Sequence, residues 1–477
     1  MQKSFFFIFT FEIWFNLIFS YETISLDLQY YYNNSLTNSL YSIFEILDKT
    51  YVYTFLKVGD PEYNIKAFPS MEYYYFSMST KYESKDSKDL SKIYNINKSS
   101  TFKNISLIDK YYIKSINDIA AKEKFKINSL IINDLDFIYE TNNVNMENSS
   151  LVVIHYMNIG LRILSNDKFK YNIISLLKER KIIENNNWFI LFEQTLKKND
   201  GEIYTLDEIM NNKLKLLIGI LPHVYDPKSF NEKQFVQLYS NNFQWVIFFK
   251  YIYYFNKNNT NSNTISQKRI IYANRVEIDF NNFLIYGPSL YYTYIERDFF
   301  NEYLSLNICQ IYTDDNIKGI YCEKSKRFGT ENLKLFPTLY FEYTEINYTF
   351  EFNYQDLFLE KDNKFWFLIV IDINTEIDEW YIGFSLLKKY QFVFNQDSKT
   401  IGFYNPDLEI VTNKNSSTNS SNYILYIIIF ISWIIFICIG FFIGKYFYKK
   451  YKTKKRANEL DDNYEYLSGN NNNINEN

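Results

Sequence analysis

One stretch near the end of the chain, WYIGFSLLKKYQFVFNQDSKTIGFY, places the strongest constraint on the fold. An apolar pair leads into Gly383, and a short helical patch from Phe384 to Lys388 follows. The segments YQFVFN and TIGFY then alternate aromatic and β-branched residues on either side of the polar turn NQDSK. A hairpin with one buried face requires this alternation. The stretch therefore predicts a closing β-hairpin at residues 390–404.

Length and composition indicate a large folded protein and exclude several classes of function. The chain has 477 residues, of which 47% are hydrophobic, so it can bury one two-lobed core or two to three domains. The net charge is −4 and basic residues cluster only after residue 444, which makes nucleic acid a poor partner. Two histidines and three cysteines cannot furnish a zinc cluster, and we expect no metal and no cofactor.

Two apolar segments predict the compartment. Residues 1–20 carry Lys3 and then a run of Phe, Ile, Leu and Trp that ends near Ser20, the pattern of a signal peptide. Residues 423–444 are uncharged and long enough to cross a bilayer as a helix. Seven basic residues follow within twelve positions, and the positive-inside rule assigns them to the cytosol. The sequence predicts a single-pass type I protein of the secretory pathway or cell surface, with its ectodomain luminal or extracellular.

The remaining chain divides at changes of composition. Residues 21–50 are a prosegment-like or N-terminal extension, residues 409–422 a polar stalk, and residues 445–477 a basic and then Asn-rich tail. Many short apolar runs separated by turn residues predict an all-β architecture for the part between. Helical spacing in YNIISLLKERKII and in ERDFFNEYLSL, which begins near Glu296, predicts a few short helices.

Several segments resemble landmarks of the pepsin-like aspartic peptidases, in the family's order. LKVGDPEYNIKAF is similar to the first hairpin, YNINKSSTFKN to the loop that follows, MNIGLRIL to the first lobe's apolar-apolar-Gly turn, and LFPTLYFEY to a second-lobe strand. The closing stretch is similar to the end of the second lobe. The resemblance covers about 350 residues and implies a bilobal acid-protease fold, with lobes at residues 51–212 and 213–408.

Cys309 and Cys322 lie close together shortly before LFPTLYFEY, where the family has a second-lobe disulfide. In an oxidising lumen, two cysteines this close would pair, since the third, Cys438, lies in the predicted span. Closing a loop of this size stabilises a fold by roughly 3 kcal/mol. Chance spacing is the alternative interpretation.

The two acids that such a peptidase needs are missing. Two aspartates must share a proton, one activating water and the other protonating the scissile carbonyl, and each comes from Asp-Thr-Gly or Asp-Ser-Gly. Neither tripeptide occurs in the chain. The alignment places Ser70 in AFPSMEYYYF at the first aspartate and Tyr286 in NFLIYGPSLYY at the second. We therefore expect no catalytic residues.

Two other residues fall near the expected cleft. Glu72 sits two positions beyond the first expected aspartate, and a single carboxylate cannot serve as base and acid together, so a solvated surface acid is the plainer interpretation. Tyr111 or Tyr112 stands where the family has its flap tyrosine, but no glycine follows to let a flap hairpin close.

The sequence thus favours a membrane-anchored, catalytically inactive pepsin-like homologue, a glycoprotein whose interlobe cleft binds a peptide or protein partner or serves only as a scaffold. Two alternatives stay open: an active membrane-anchored aspartic endopeptidase that uses non-standard residues, and a β-rich adhesion protein outside the family. Eight sequons add weak support for a glycosylated ectodomain; they are Asn33, Asn97, Asn104, Asn148, Asn258, Asn347, Asn415 and Asn419.

Overall fold

In the computed structural model, two compact units divide the chain, Met1–Leu408 and Glu409–Asn477. The structure describes residues 21–31, 42–71, 73, 75–84, 94–105, 119–140, 151–162, 171–193, 199–240, 244–260, 263–314, 316–374, 379–383, 387, 389–406, 408, 445–446, 448–450 and 452. The signal-peptide, stalk and membrane-span predictions fall on residues outside this description. Among the described residues, no helix is both long and apolar enough to cross a membrane.

The first unit is mostly β-strand, which confirms the all-β prediction. Its first eleven strands are β1 Ile24–Tyr31, β2 Tyr51–Val58, β3 Tyr63–Ser70, β4 Ser77–Ser84, β5 Lys103–Ile105, β6 Ile119–Ile127, β7 Leu130–Glu140, β8 Leu151–Gly160, β9 Asn187–Phe192, β10 Tyr204–Thr205 and β11 Leu214–Ile218. The later strands are β12 Phe235–Tyr239, β13 Val246–Phe248, β14 Tyr251–Thr260, β15 Asn263–Ile271, β16 Arg275–Ile278, β17 Ile285–Tyr286, β18 Cys309–Thr313, β19 Ile317–Glu323, β20 Leu339–Tyr343, β21 Tyr348–Phe352, β22 Phe358–Lys361, β23 Lys364–Phe367, β24 Ile369–Asp372, β25 Trp380–Ile382, β26 Val393–Asn395 and β27 Thr400–Tyr404.

The helices that the structure describes in this unit are short. They are α1 Ile43–Asp48, α2 Ile173–Glu179, α3 Leu206–Met210, α4 Pro222–Tyr225, α5 Ser289–Ile295, α6 Asn301–Ser305, α7 Thr330–Leu333 and α8 Tyr354–Leu357, with a π-helical turn at Glu296–Phe300 between α5 and α6. The helices expected in YNIISLLKERKII and from Glu296 onward are confirmed. Asn172 caps α2 by accepting hydrogen bonds from the backbone N–H groups of Ile174 and Ser175.

The strands form three sheets. The largest runs β12-β27-β26-β9-β11-β1-β2-β3-β8-β4-β7-β6-β5, the second runs β10-β22-β23-β19-β24-β17-β25-β16-β13 with β18 beside β19, and the third runs β15-β14-β20-β21. In the largest sheet, β26 pairs with β9 and β9 with β11, so strands from the two ends of the unit share one antiparallel run. This run joins the first and last strands of the first unit into one core.

The closing hairpin forms as the sequence predicts. Strands β26 and β27 pair antiparallel with Asn395 opposite Thr400, which places the NQDSK turn between them. Phe394 stacks on Trp188 with ring centroids 4.2 Å apart, and both rings are buried. The alternation of apolar residues therefore marks the face that packs into the core. Residues 384–386 and 388 of the adjacent helical patch lie outside the described residues.

Two chain segments before residue 51 also enter this core. Strand β1 lies between β11 and β2 and buries Ile24, Leu26 and Leu28, because its apolar residues alternate with polar ones. Helix α1 follows, and its apolar residues are buried as well. The region assigned to a prosegment-like or N-terminal extension thus supplies a strand and a helix to the same compact unit.

Candidate functional site

The two residues at the expected aspartate positions each end a strand that has a parallel neighbour. Ser70 closes β3, which runs parallel to β8 with Ser70 opposite Gly160. Tyr286 closes β17, which runs parallel to β24 with Tyr286 opposite Val370. Strands β3 and β8 both end at the Ser70–Gly160 pair, whereas β24 continues past Val370 to Asp372. Each position therefore lies on a strand with a parallel neighbour, one in the first half of the unit, before residue 213, and one in the second half.

Ser70 is held through its backbone within the first half. Its carbonyl oxygen accepts a hydrogen bond from the N–H of Leu161 at 2.8 Å, and the N–H of Arg162 donates to the carbonyl of Tyr73 at 3.2 Å. Ser70 and the following Met71 are buried. A hydroxyl at this position carries no charge at any pH from 3 to 6, since an alcohol does not ionise there. It therefore cannot replace a carboxylate as a general base.

At the end of β17, the second expected aspartate position holds the phenol of Tyr286. The hydroxyl of Tyr286 donates a hydrogen bond to Oδ1 of Asp48 at 2.5 Å, across 238 positions of sequence. Burial raises the pKa of Tyr286 above the usual tyrosine range, and the hydrogen bond to Asp48 and the nearby carboxylates of Asp372 and Asp314 raise it further. The phenol stays protonated and acts as a donor. It cannot activate water at acid pH.

Asp48 reaches Tyr286 because it ends helix α1, which is fixed by its own sequence. Ser42 caps the helix by accepting from the N–H of Glu45 at 3.2 Å, and the Glu45 carboxylate accepts from the N–H of Ser42 at 3.0 Å. This reciprocal pair is a capping box. At the other end, the hydroxyl of Thr50 donates to the carbonyl of Ile46 at 2.6 Å. Both ends of the short helix are therefore satisfied.

The apolar side of α1 packs on the second half of the unit. Phe44 is fully buried, and its ring meets Trp366 edge to face at 5.2 Å and Tyr312 at 5.5 Å between centroids. Gly319 on β19 lies directly beneath the Phe44 ring, because a Cβ built there would stand 2.5 Å from Cζ of Phe44. Gly319 thus leaves the space that the ring fills. Helix α1 therefore contacts Tyr286 through Asp48 and β19 through Phe44.

A second close approach involves Gly383, the glycine of the apolar-apolar-Gly pattern at residues 381–383. A Cβ at Gly383 would collide with the backbone carbonyl oxygens of Leu284 and Asn282. Leu284 directly precedes β17, so only a glycine allows the two segments to pass this closely. The glycine therefore has a structural function beside the strand that carries Tyr286.

Another buried carboxylate of the first half, Glu123, serves a structural purpose. It is fully buried and accepts a hydrogen bond from the hydroxyl of Tyr94 at 2.6 Å and a very short one from Thr101. Burial raises the pKa of Tyr94, and its hydrogen bond to Glu123 raises it further. These contacts tie the loop 94–101 to β6. With both oxygens engaged by that loop, Glu123 is not placed to act on a substrate.

The predicted disulfide is present. Cys309 and Cys322 are bonded, and they stand opposite each other in the antiparallel pair β18–β19. Both cysteines are buried. The bond joins the strand that carries Tyr312 to the strand that carries Gly319, and both of these residues contact Phe44. The disulfide therefore lies within the framework that receives α1.

Two predicted cleft residues, Glu72 and Tyr112, lie outside the described residues, and so does the flap segment around Tyr112. Across the part of the chain that the structure describes, no group of three or more His, Cys, Asp or Glu side chains is arranged to hold a metal ion. The expectation that the protein needs no metal or cofactor stays a prediction.

Sequence reasoning missed Asp48, Phe44 and the docking of α1. The Ser42-x-x-Glu45 capping box was a signal for a helix start, and Ile43, Phe44, Ile46 and Leu47 gave it an apolar face. Neither signal says where the helix docks, because its contacts lie more than 200 residues away along the chain.

No family model matches the chain, and no curated protein matches it by sequence.

Proposed function

We propose that this protein is a membrane-anchored, single-pass pepsin-like homologue without peptidase activity, whose luminal or extracellular cleft binds a peptide or protein partner. One observation carries the proposal: a phenol stands at the end of β17 and donates its hydrogen to Asp48, at the position where the resemblance requires a proton-sharing aspartate. A neutral phenol and an alcohol at the two positions leave no pair of acids to activate water.

The topology supports a bilobal pepsin-like fold as the framework. Each half has a strand that ends at an expected aspartate position beside a parallel neighbour, β3 with β8 and β17 with β24. In each half an apolar-apolar-Gly segment packs nearby, ending at Gly160 or at Gly383. The antiparallel run from β12 to β1 then joins strands of both ends. These features support the proposal of a bilobal arrangement.

The occupancy of the site limits what the cleft can bind. While α1 stays in place, a ligand must compete with Asp48 for the hydrogen of the Tyr286 hydroxyl, and Phe44 fills the space above Gly319. Burying the Phe44 side chain stabilises this contact by roughly 1.5–3 kcal/mol. We therefore propose that a peptide or partner contacts the part of the cleft that α1 leaves open.

A cleavage assay on the purified full chain tests the lack of activity. The expected result is no pepstatin-sensitive cleavage of a peptide library between pH 3 and 6. A double variant, Ser70→Asp with Tyr286→Asp, should also stay inactive, because the family's glycines are still missing from both turns and α1 still covers one of them. Pepstatin-sensitive cleavage by the unmodified chain that Glu72→Gln abolishes would favour the active-peptidase alternative instead.

A binding assay tests the cleft. Peptides selected on the full chain should bind at least as tightly to the Asp48→Asn variant, because loosening α1 exposes more of the cleft. The control is Lys233→Gln, a change at an exposed residue far from Tyr286 in sequence, which should leave peptide binding unchanged. If no peptide is selected on either the wild type or Asp48→Asn, the result would contradict a binding cleft and favour a function as a scaffold only.

A further inference from the structure

The second unit holds a basic helical segment directly after the predicted span. Residues 445, 446, 448–450 and 452 are helical and exposed, and the exposed fractions of Tyr446 and Tyr448 are 64% and 68%. Seven basic residues occupy the twelve positions that follow Gly444, and the next acidic residue is Glu459; the seven are Lys445, Lys449, Lys450, Lys452, Lys454, Lys455 and Arg456.

Helical geometry groups part of this charge on one face. Lys445, Lys449 and Lys452 are spaced by four and then three residues, so they fall on the same side of a helix, and Tyr448 lies beside them. An aromatic ring with a polar tip is the side chain that favours the membrane–water interface. The face therefore combines three ammonium groups with an interfacial anchor.

Distance from the bilayer decides how this face is placed. A helix rises about 1.5 Å per residue, so one that continued straight out of a membrane would carry Lys452 about 12 Å beyond Gly444. The electrostatic screening length at physiological ionic strength is about 8 Å. A segment that bends and lies along the surface keeps all of its lysines within that length, where each gains about 1 kcal/mol at an anionic leaflet.

We propose that the helical face of Lys445, Lys449 and Lys452 binds the anionic lipid headgroups of the cytosolic leaflet. The inference rests on the membrane anchorage in the proposed function, because residues 423–444 must hold the segment at the bilayer. Charge complementarity and the absence of acidic residues before Glu459 favour lipid headgroups as the partner. Binding places Tyr446 and Tyr448 at the headgroup level, out of reach of a soluble protease.

Chymotrypsin cleavage after Tyr446 and Tyr448 measures this placement in the full chain reconstituted into vesicles with the tail outside. In vesicles of phosphatidylcholine with phosphatidylserine, the expected cleavage is at least about tenfold slower than in phosphatidylcholine alone, since two or more lysine contacts exceed the 1.4 kcal/mol that a factor of ten represents. High salt should remove the protection.

Matched variants separate charge from other causes. Changing Lys445, Lys449, Lys450 and Lys452 to Gln keeps the tyrosine cleavage sites and should abolish the protection, whereas changing the same four residues to Arg should retain it. Equal cleavage in the two kinds of vesicle would overturn the proposal. Protection produced in phosphatidylcholine vesicles by inorganic phosphate alone would overturn it too, because the partner would then be a free anion.

Carbonate extraction of the same vesicles distinguishes the two levels of the argument. If the full chain is extracted, the membrane anchorage fails and the lipid proposal falls with it. If the chain stays in the vesicles and its tail is cleaved equally with and without phosphatidylserine, the anchorage holds and the lipid proposal alone is wrong. Protection of an unextracted chain by phosphatidylserine supports both.

Discussion

The ends of β3 and β17 have similar topology and are filled in different ways. At the end of β3, Ser70 is a small residue held by local backbone contacts, with Gly160 opposite it and Leu161 bonded to its carbonyl. At the end of β17, Tyr286 is a long aromatic residue whose hydroxyl bonds to Asp48 from a distant part of the chain. One position is held by contacts close in sequence, and the other has a partner from a distant part of the chain.

The difference shows two physical routes by which a site of this geometry can lack a carboxylate pair. The alcohol of Ser70 carries no charge and is small enough to be buried at the end of β3. The half-buried phenol of Tyr286 needs an acceptor, because a hydroxyl that loses water without gaining a partner is costly. Asp48 meets that need, and it brings with it a helix that covers the surface. The second-half position is therefore expected to be coupled to the fold more strongly than the first-half position.

The largest expected effect comes from the ring that anchors α1. Phe44→Ala should lower the free energy of unfolding by about 3–5 kcal/mol, because it removes a fully buried ring and leaves a cavity above Gly319. Denaturant titration measures this loss. Phe55, which is 46% exposed on β2 of the first half, is the matched control, and Phe55→Ala should cost well under half as much. Similar losses for the two variants would contradict a tightly docked α1.

The next effect concerns the disulfide that supports the same surface. The double variant Cys309→Ser with Cys322→Ser should lose about 3 kcal/mol, since the bond closes a short loop of the unfolded chain. The first half contains no cysteine, so a reducing agent should reproduce the loss in the wild type and leave the double variant unchanged. A wild type whose unfolding midpoint is insensitive to reduction would show that the bond adds no stability.

Local signals in the sequence predicted much of this fold. The closing hairpin, the helix at Ile173–Glu179 and the Cys309–Cys322 bond each depend on residues that are neighbours in sequence. The parallel pairing of β3 with β8 joins residues about ninety positions apart, and propensity and periodicity say nothing about such partners. The resemblance placed both segments in the first lobe and did not predict that they pair.

Neither the local sequence signals nor the family resemblance predicted the contact between Tyr286 and Asp48. The resemblance placed Tyr286 at an expected aspartate position, and no feature of the sequence singled out Asp48. Their hydrogen bond depends on the docking of α1, which rests on packing between Phe44, Gly319 and Trp366. Complementary shapes of distant segments leave no periodic signal in the sequence.

A smaller effect separates the two strand ends directly. Tyr286→Phe should lower the free energy of unfolding by about 1–2 kcal/mol, because it deletes a hydrogen bond to a carboxylate. Ser70→Ala should cost less than about 1 kcal/mol, since the backbone contacts that hold Ser70 remain. A double-mutant cycle of Tyr286→Phe with Asp48→Asn should show coupling, while Ser70→Ala with Asp48→Asn should be additive. Additivity in both cycles would mean that the phenol and the carboxylate do not interact.

The smallest effect is the dependence of this contact on alkaline pH. Burial, and after it the hydrogen bond to Asp48, raises the pKa of Tyr286 in the folded state above its value of about 10 in the unfolded chain. A group whose folded pKa is raised contributes stability that is fully present below the unfolded pKa and is lost as the pH rises above it. The wild type should therefore lose stability above pH 10 faster than Tyr286→Phe, by up to about 1.4 kcal/mol per pH unit.

Denaturant titrations of the wild type and Tyr286→Phe at pH 8 and near pH 11 measure the difference. Ser70→Ala has no ionisable group at its site and should follow the wild type through the same range. If Tyr286→Phe also follows the wild type, the phenol titrates as it does in the unfolded chain, and the contrast between the two strand ends is steric alone.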